Sequence, residues 1–368
     1  MWQTAIGLAL IAGIYTAFGG LKAVVYTDAI QAVILIIGCT VMSFIVFGKL
    51  DYSWSNVLAS VPDGHFSVVR PLDDPGIPWP GLILGVPFLG FWYWSTNQYI
   101  VQRILGARSL NDARWGVILA GFLKIAPLFI MVFPGAMAIS LFPGLENGDA
   151  VFPKLVTEVL PVGMVGIVLA GLVSAILSSV DSALNSSSTL VVMDFIQPNK
   201  PNLSDTDLAK YGRIATLVFM IVAALWAPQI QNFEGLWNYL QQMFSILVPP
   251  IAVIFLVGVF YKRGNGHGAF WTLVGGTLAG VIAFILEQYD MWSIHYTINV
   301  GIMIALSTVI FVVVSLMTDP PTEEQISYLT FDSTYIDEGT EGFPWYKNYK
   351  YQMAILAGVI FVIFIWLW

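Results

Sequence analysis

Ten apolar runs recur along this chain, each about 17–25 residues long, the length that crosses roughly 30 Å of hydrocarbon as a helix. They lie near 2–19, 24–48, 80–103, 115–142, 161–189, 213–230, 236–261, 268–286, 296–317 and 351–368. Such runs call for helices, because a membrane strand would alternate apolar and polar residues over about ten positions. Hydrophobic residues make up 57% of the 368 and charged residues only 10%, which excludes a soluble globular class. The expected fold is all-α and polytopic, with about ten transmembrane helices.

Basic residues test the topology, since Lys and Arg favour the cytoplasmic side. Eleven fall in one set of alternate loops: Lys22, Arg103, Arg108, Arg114, Lys200, Lys210, Arg213, Lys262, Arg263, Lys347 and Lys350. The other set holds three, Lys49, Arg70 and Lys154, while Lys124 falls within a span. The split supports ten spans with the first helix starting outside. The net charge of −8 comes mostly from loops, notably the acidic segment 318–345, which reads as a solvated cytoplasmic linker. Cys39 is the single cysteine and sits in an apolar span, where it reads as a small buried hydrophobe. No basic n-region of a secretory signal follows Met1. A chain opening at the outer end of a helix is expected to be part of a longer one.

Ionisable side chains inside a span cost several kcal/mol and mark functional sites by default. Asp28, Lys124 and Asp181 qualify. Asp28 reads either as an interfacial carboxylate or as a coupling group. Lys124 needs a carboxylate, carbonyls or a polar ligand, and a packing ion pair would also serve. Asp181 belongs to a stripe in LAGLVSAILSSVDSALNSSSTL: Ser174, Ser178, Asp181, Asn185 and Ser188 recur at spacings of four and three on one helix face. Hydroxyls and a carboxylate on an inward face suit a dehydrated cation path, although small hydroxylated residues also serve close helix packing.

Two further spans carry polar groups. In PFLGFWYWSTNQYIVQRILGA, Tyr93 and Asn97 lie one turn apart, with Trp94, Gln98 and Gln102 down the adjacent row. Aromatic rings beside amides suit the apolar face and hydroxyls of a pyranose; for Trp92 and Trp94 alone an interfacial aromatic belt is the competing reading. In NFEGLWNYLQQMFSILVPPIAVIFLVG, Gln241 and Ser245 lie one turn apart, and Pro249–Pro250 removes two backbone donors, which reads as a break lining a cavity or as a simple kink. Motifs of soluble enzyme chemistry and platforms for nucleic acid do not occur, so the chain is not expected to be an enzyme.

Five motifs together resemble the sodium:solute symporter family, and within it the sodium/glucose and sodium/galactose cotransporters: GGLKAVVYTDAIQAVI, FWYWSTNQYIVQRILGAR, FLKIAPLFIMVFPG, AILSSVDSALNSSSTLVVMDF and VPPIAVIFLVGVFYKR, in that order. The resemblance covers essentially the whole chain, weakening in 318–350 and at the last helix. It implies an inverted repeat of five-helix units within about fourteen helices, of which this chain matches the last ten. On that reading 1–50 holds the last two helices of the first repeat, 51–79 an extracellular loop, 80–264 the second repeat, and 265–368 peripheral helices with a cytoplasmic linker at 318–350.

Residue by residue, the resemblance implies a sodium held by the Ala175 carbonyl and by Ser178 and Ser179. Asp28 falls where an aspartate is linked to ion coupling, and Asp181 where a second-ion ligand has been proposed, a position that is neutral in many members. Tyr93 would stack on the sugar, with Trp94, Asn97 and Gln98 in the same motif and Lys124 and Gln241 contacting its hydroxyls. Gly90 departs from an asparagine that contributes to the galactose site in one bacterial relative, which counts against galactose itself. The implied activity is import of a sugar or polyol with co-transported sodium, across a cell inner (plasma) membrane. Alternatives are another small polar solute, such as an inositol or an organic acid, and a non-transporting membrane sensor.

Overall fold

The computed structural model describes residues 2–145, 148–232, 236–327, 329–331 and 342–368, with their side chains except at 2, 5, 15, 19–23, 231–232, 236–238 and 288. Lys22 and the centre of the acidic linker therefore lie outside the described side chains. The helices, in order, are α1 (Trp2–Gly48), α2 (Trp54–Ala59), α3 (Trp79–Leu84), α4 (Val86–Ser95), α5 (Gln98–Leu105), α6 (Leu110–Leu123), α7 (Phe133–Leu141), α8 (Val151–Lys154), α9 (Val162–Leu190), α10 (Gln197–Asn199), α11 (Asp205–Trp226), α12 (Leu236–Phe260), α13 (Gly266–Gln288), α14 (Tyr296–Met317), α15 (Glu323–Ile326) and α16 (Tyr349–Trp366). Among the described residues there is no strand, only an isolated bridge between Arg70 and Pro78.

Among the described residues eight helices, against the ten expected, are long and apolar enough to cross a membrane: Val24–Gly48, Leu110–Leu141, Val162–Asn199, Asp205–Ile230, Tyr239–Phe260, Gly266–Glu287, Tyr296–Met317 and Tyr349–Trp366. Two local reasons account for the difference. The expected spans 2–19 and 24–48 run together in the 47 residues of α1. No proline separates them, and glycine costs a helix only about 1 kcal/mol each. The expected span 80–103 is cut into α3, α4 and α5, each too short to cross alone.

The chain forms two compact units. The first comprises 1–65, 102–232 and 349–360. Its spine is the antiparallel contact of α1 with α9. A Cβ on Gly171 would lie 3.1 Å from Leu35 Cα, and one on Gly38 3.4 Å from Val168 Cα, so small residues let the two backbones approach. Cys39, Met42 and Val46 continue the buried face of α1. Further along, Ser43 Oγ donates to Phe129 O at 2.9 Å, and Phe133 packs on Trp54 at 5.1 Å between ring centroids. Between α6 and α7 the chain forms a π-helical turn, Leu128–Val132.

The second unit comprises 66–101, 233–348 and 361–368. Its core joins Val248, Ala252 and Val253 of α12 to Val300, Ile304 and Phe311 of α14, with Phe88, Leu89 and Trp92 of α4 against them. Pro249 and Pro250 lie inside a continuous α12, so the expected break is absent. Gly276 of α13 receives the Pro250 ring, where a Cβ would come within 2.8 Å, and a Cβ on Gly280 would lie 3.0 Å from Ile246 Cα. Neighbouring helices cover the backbone that the prolines leave short of donors, which is what makes a proline pair tolerable at membrane depth.

Candidate functional site

Hydroxyls in the middle of a helix ordinarily return their proton to a carbonyl three or four residues back. On α9 four do so: Ser179 to Ala175 O at 3.0 Å, Ser186 to Ala183 O at 3.0 Å, Ser188 to Asn185 O at 2.9 Å and Thr189 to Asn185 O at 2.8 Å. Ser178 does not. Its hydroxyl donates across to an Asp28 carboxylate oxygen on α1. Asp28 also accepts from the guanidinium of Arg103 on α5, in an ion pair whose side chains are 27% (Arg103) and 15% (Asp28) exposed. The same guanidinium donates to Ser182 Oγ.

Around this pair the stripe turns inward. Asp181 and Ser182 are fully buried at 0%, and Ser182 Oγ donates to Asp181 Oδ1 at 3.0 Å. Gln102 Nε2 donates to Ser182 O at 3.4 Å, and Gln102 Oε1 accepts from Asn185 Nδ2 at 3.0 Å. Ala175 and Ser178 are half-buried, while Ser179 is exposed. The first unit thus gathers two carboxylates, three serine hydroxyls and a backbone carbonyl on one side of α9. Every one of these oxygens can ligate a hard cation. Because Ser178 and Ser179 have each given their proton away, their oxygens can act towards a further partner only as acceptors.

Arg103 and Ser182 were not among the expected site residues. Arg103 closes an apolar run and counts as a loop cation in the topology test. The signal that finds it is Asp28 itself, because a carboxylate at that depth requires a cation or donors.

In the second unit the interrupted span displays the aromatic residues. Gly85 and Pro87 separate α3 from α4, and α4 ends where the N–H groups of Thr96 and Asn97 both reach Trp92 O at 3.0 Å. Asn97 Oδ1 then accepts from Tyr99 N at 3.2 Å, capping α5. Asn97 therefore holds the break, and Gln98 opens the next helix. Tyr93 and Trp94 meet edge to face at 5.5 Å, and Trp92 packs on Phe244 of α12 at 5.1 Å. Gln241, half-buried on α12, lies one turn before Ser245, whose hydroxyl donates to Gln242 O at 2.7 Å.

Lys124 belongs to the first unit and differs from expectation. It is exposed rather than buried. Pro127 lacks the N–H that would bond Leu123 O and its ring crowds that carbonyl, so α6 stops at Leu123 and Lys124 sits on the turn.

A multi-pass, all-α membrane protein with an interrupted helix and a polar cluster on a membrane-length helix is the class this arrangement defines. Within that class the chain belongs to the sodium:solute symporter family, whose profile matches residues 2–276. It is 36% identical over 380 residues to sodium/myo-inositol cotransporter 2 of Homo sapiens, covering 90% of this chain and 56% of that protein. It is 34% identical over 398 residues to sodium/glucose cotransporter 4 of Danio rerio, covering 94% of this chain and 61% of that protein. The chain thus spans little more than half the length of these relatives. A solved substrate-bound, outward-open structure of a Na+-coupled sialic acid symporter superposes with a TM-score of 0.70 at 22% identity, over 87% of this chain and 68% of that one. That likeness concerns the fold.

Proposed function

We propose that this protein acts in sodium-coupled import of a small neutral polyol, a sugar such as glucose or galactose, across a cell inner (plasma) membrane by alternating access. The observation that carries the reading is the face of α9. Ala175, Ser178 and Ser179 offer oxygens to a sodium ion, and Asp28, tied to Ser178 and Arg103, sets the charge beside them. Asp181 with Ser182 supplies a second acidic position for another ion or for coupling. Tyr93 and Trp94 would stack on the sugar, with Asn97, Gln98, Lys124 and Gln241 as polar contacts. The proposed organisation keeps 1–50 as the end of a first repeat and 80–264 as the second. Each sodium charge crossing the membrane potential contributes about 2.3 kcal/mol per 100 mV, in addition to its concentration term.

A second reading, an inositol as substrate, is favoured by the relatives named sodium/myo-inositol cotransporter 2, of which the human one is 36% identical. Both readings are tested by uptake of labelled glucose, galactose and myo-inositol into proteoliposomes holding the protein. Uptake of one of them that requires an inward sodium gradient is expected, and the preferred solute separates the readings. Uptake unchanged when choline replaces sodium overturns both.

A further inference from the structure

A cavity of about 360 Å³ opens in the first unit between α1, the far end of α9 and the start of α11. Three hydroxyls of its lining act alike. Ser188 and Thr189 spend their hydroxyl protons on Asn185 O, and Thr216 spends its own on Gly212 O at 2.9 Å. All three present only lone pairs to the cavity and can accept but not donate. Thr16, 3% exposed, also lines it, and its hydroxyl has no partner among the described residues. Burying a hydroxyl unbonded costs about 1–3 kcal/mol, so a ligand that pairs with it is favoured. The remaining polar wall is Asn185, whose amide donates to Gln102 Oε1, and Arg213, whose guanidinium lies 5.7 Å from the Phe18 ring centroid and brings positive charge and fixed donors.

An occupant must therefore combine one anionic group for Arg213 with hydroxyl donors for the row of acceptors. A choline headgroup has no donors and a bare phosphate monoester has no alcohol to offer. The surroundings are those of a membrane ligand. Arg213 lies two turns into a membrane-length helix, and Phe18, Met193 and Phe195 are 75%, 46% and 67% exposed, apolar surface on which acyl chains can lie. We infer that this cavity binds the headgroup of an anionic, hydroxyl-bearing phospholipid, with the phosphodiester on Arg213 and the alcohol hydroxyls on Ser188, Thr189 and Thr216. The inference does not depend on the sodium or sugar assignments.

The test uses the full chain, stripped of lipid in neutral detergent and incubated with equal amounts of phosphatidylglycerol, phosphatidate and phosphatidylcholine of the same acyl length. Lipid retained after repurification is measured by mass spectrometry. Phosphatidylglycerol is expected to be retained about fivefold over phosphatidylcholine, the factor one basic contact supplies, and above phosphatidate. Arg213→Gln should abolish the preference over phosphatidylcholine, whereas Arg213→Lys, the safeguard should the first variant misfold, should keep it. Thr16→Val should bring phosphatidylglycerol down to the phosphatidate level. Equal retention of all three lipids, or a preference that survives Arg213→Gln, overturns the inference. So does displacement of phosphatidylglycerol by free glycerol 3-phosphate at the same concentration, which would make the ligand a soluble ester.

Discussion

Arg103 and Asp28, 75 positions apart in the chain, form an ion pair that joins α5 to α1, and Ser178 of α9 donates into the same carboxylate. Three helices therefore meet at one carboxyl group. Removing one partner of a buried pair costs 3–5 kcal/mol, and the access of water to Arg103 lowers that to about 1–3 kcal/mol. Arg103→Ala and Asp28→Ala should each lower the melting temperature in detergent, and the double variant should lose less than the sum of the two. Strict additivity would mean the pair contributes nothing.

Ser178 and Ser179 are adjacent but bonded differently, so their alanine variants should separate. Ser178→Ala removes a hydrogen bond to a charged group, worth about 1.5–3 kcal/mol. It should raise the sodium concentration for half-maximal uptake by about tenfold or more. Ser179→Ala removes an exposed hydroxyl bonded only within its own helix, and any loss of sodium affinity then reports on the ion. If the Ser178→Ala with Ser179→Ala double variant leaves sodium dependence unchanged, the proposed sodium site is wrong.

Glycines of the interrupted span differ in their surroundings. A Cβ on Gly85 would lie 2.0 Å from Thr297 O, a backbone atom that cannot step aside, whereas Gly90 has nothing within 4 Å of that position. Gly85→Ala should destabilise by about 1–3 kcal/mol or more. Gly90→Ala should be neutral or slightly stabilising in thermal unfolding, since alanine is the better helix former by about 1 kcal/mol. Gly90→Asn should also fold. If the sugar assignment holds, it should shift competition among labelled sugars toward galactose.

His295 caps α14: its Nδ1 accepts from Thr297 N at 3.3 Å, and Nε2 faces Pro75 O at 3.3 Å. Burial pushes its pKa below the ordinary histidine value of 6.5, against the opposing pull of the Pro75 and Gly76 backbone and the charge of Asp74. The neutral ring is thus the one the folded state prefers. Its contribution to stability is complete above 6.5 and is lost as pH falls from there through the lowered folded-state value. Melting temperatures measured from pH 7.5 to 5 should fall more steeply for the wild type than for His295→Gln.

Much of this was legible in the residues, and the failures have physical causes. The period of α9 put Ser178, Asp181, Asn185 and Ser188 on one face, and the structure has Asp181 and Ser188 buried and Ser178 and Asn185 half-buried there. Hydropathy could not detect the cuts in 80–103, because Gly85, Pro87 and Asn97 interrupt the helix while barely changing its apolar content. Nor could it separate the halves of α1, where no terminator intervenes. Arg103 was hidden because a cation at the end of a span looks the same whether it meets water or a carboxylate. Lys124 misled for the converse reason: an apolar neighbourhood in sequence says nothing about which side of a helix is covered.

The hydroxyls of α9 that bond to their own helix have a consequence for the proposed sodium site, which on that proposal is filled and vacated in turn. Ser179 keeps Ala175 O as a partner whether or not an ion is present. Departure of a cation would therefore strand no donor in a dry interior, and its return would break no bond between helices at that position. Ser178 is different, because its proton rests on another helix. Of two neighbouring oxygens, one would be indifferent to occupancy of the proposed site, while the other would tie its state to the separation of α1 and α9.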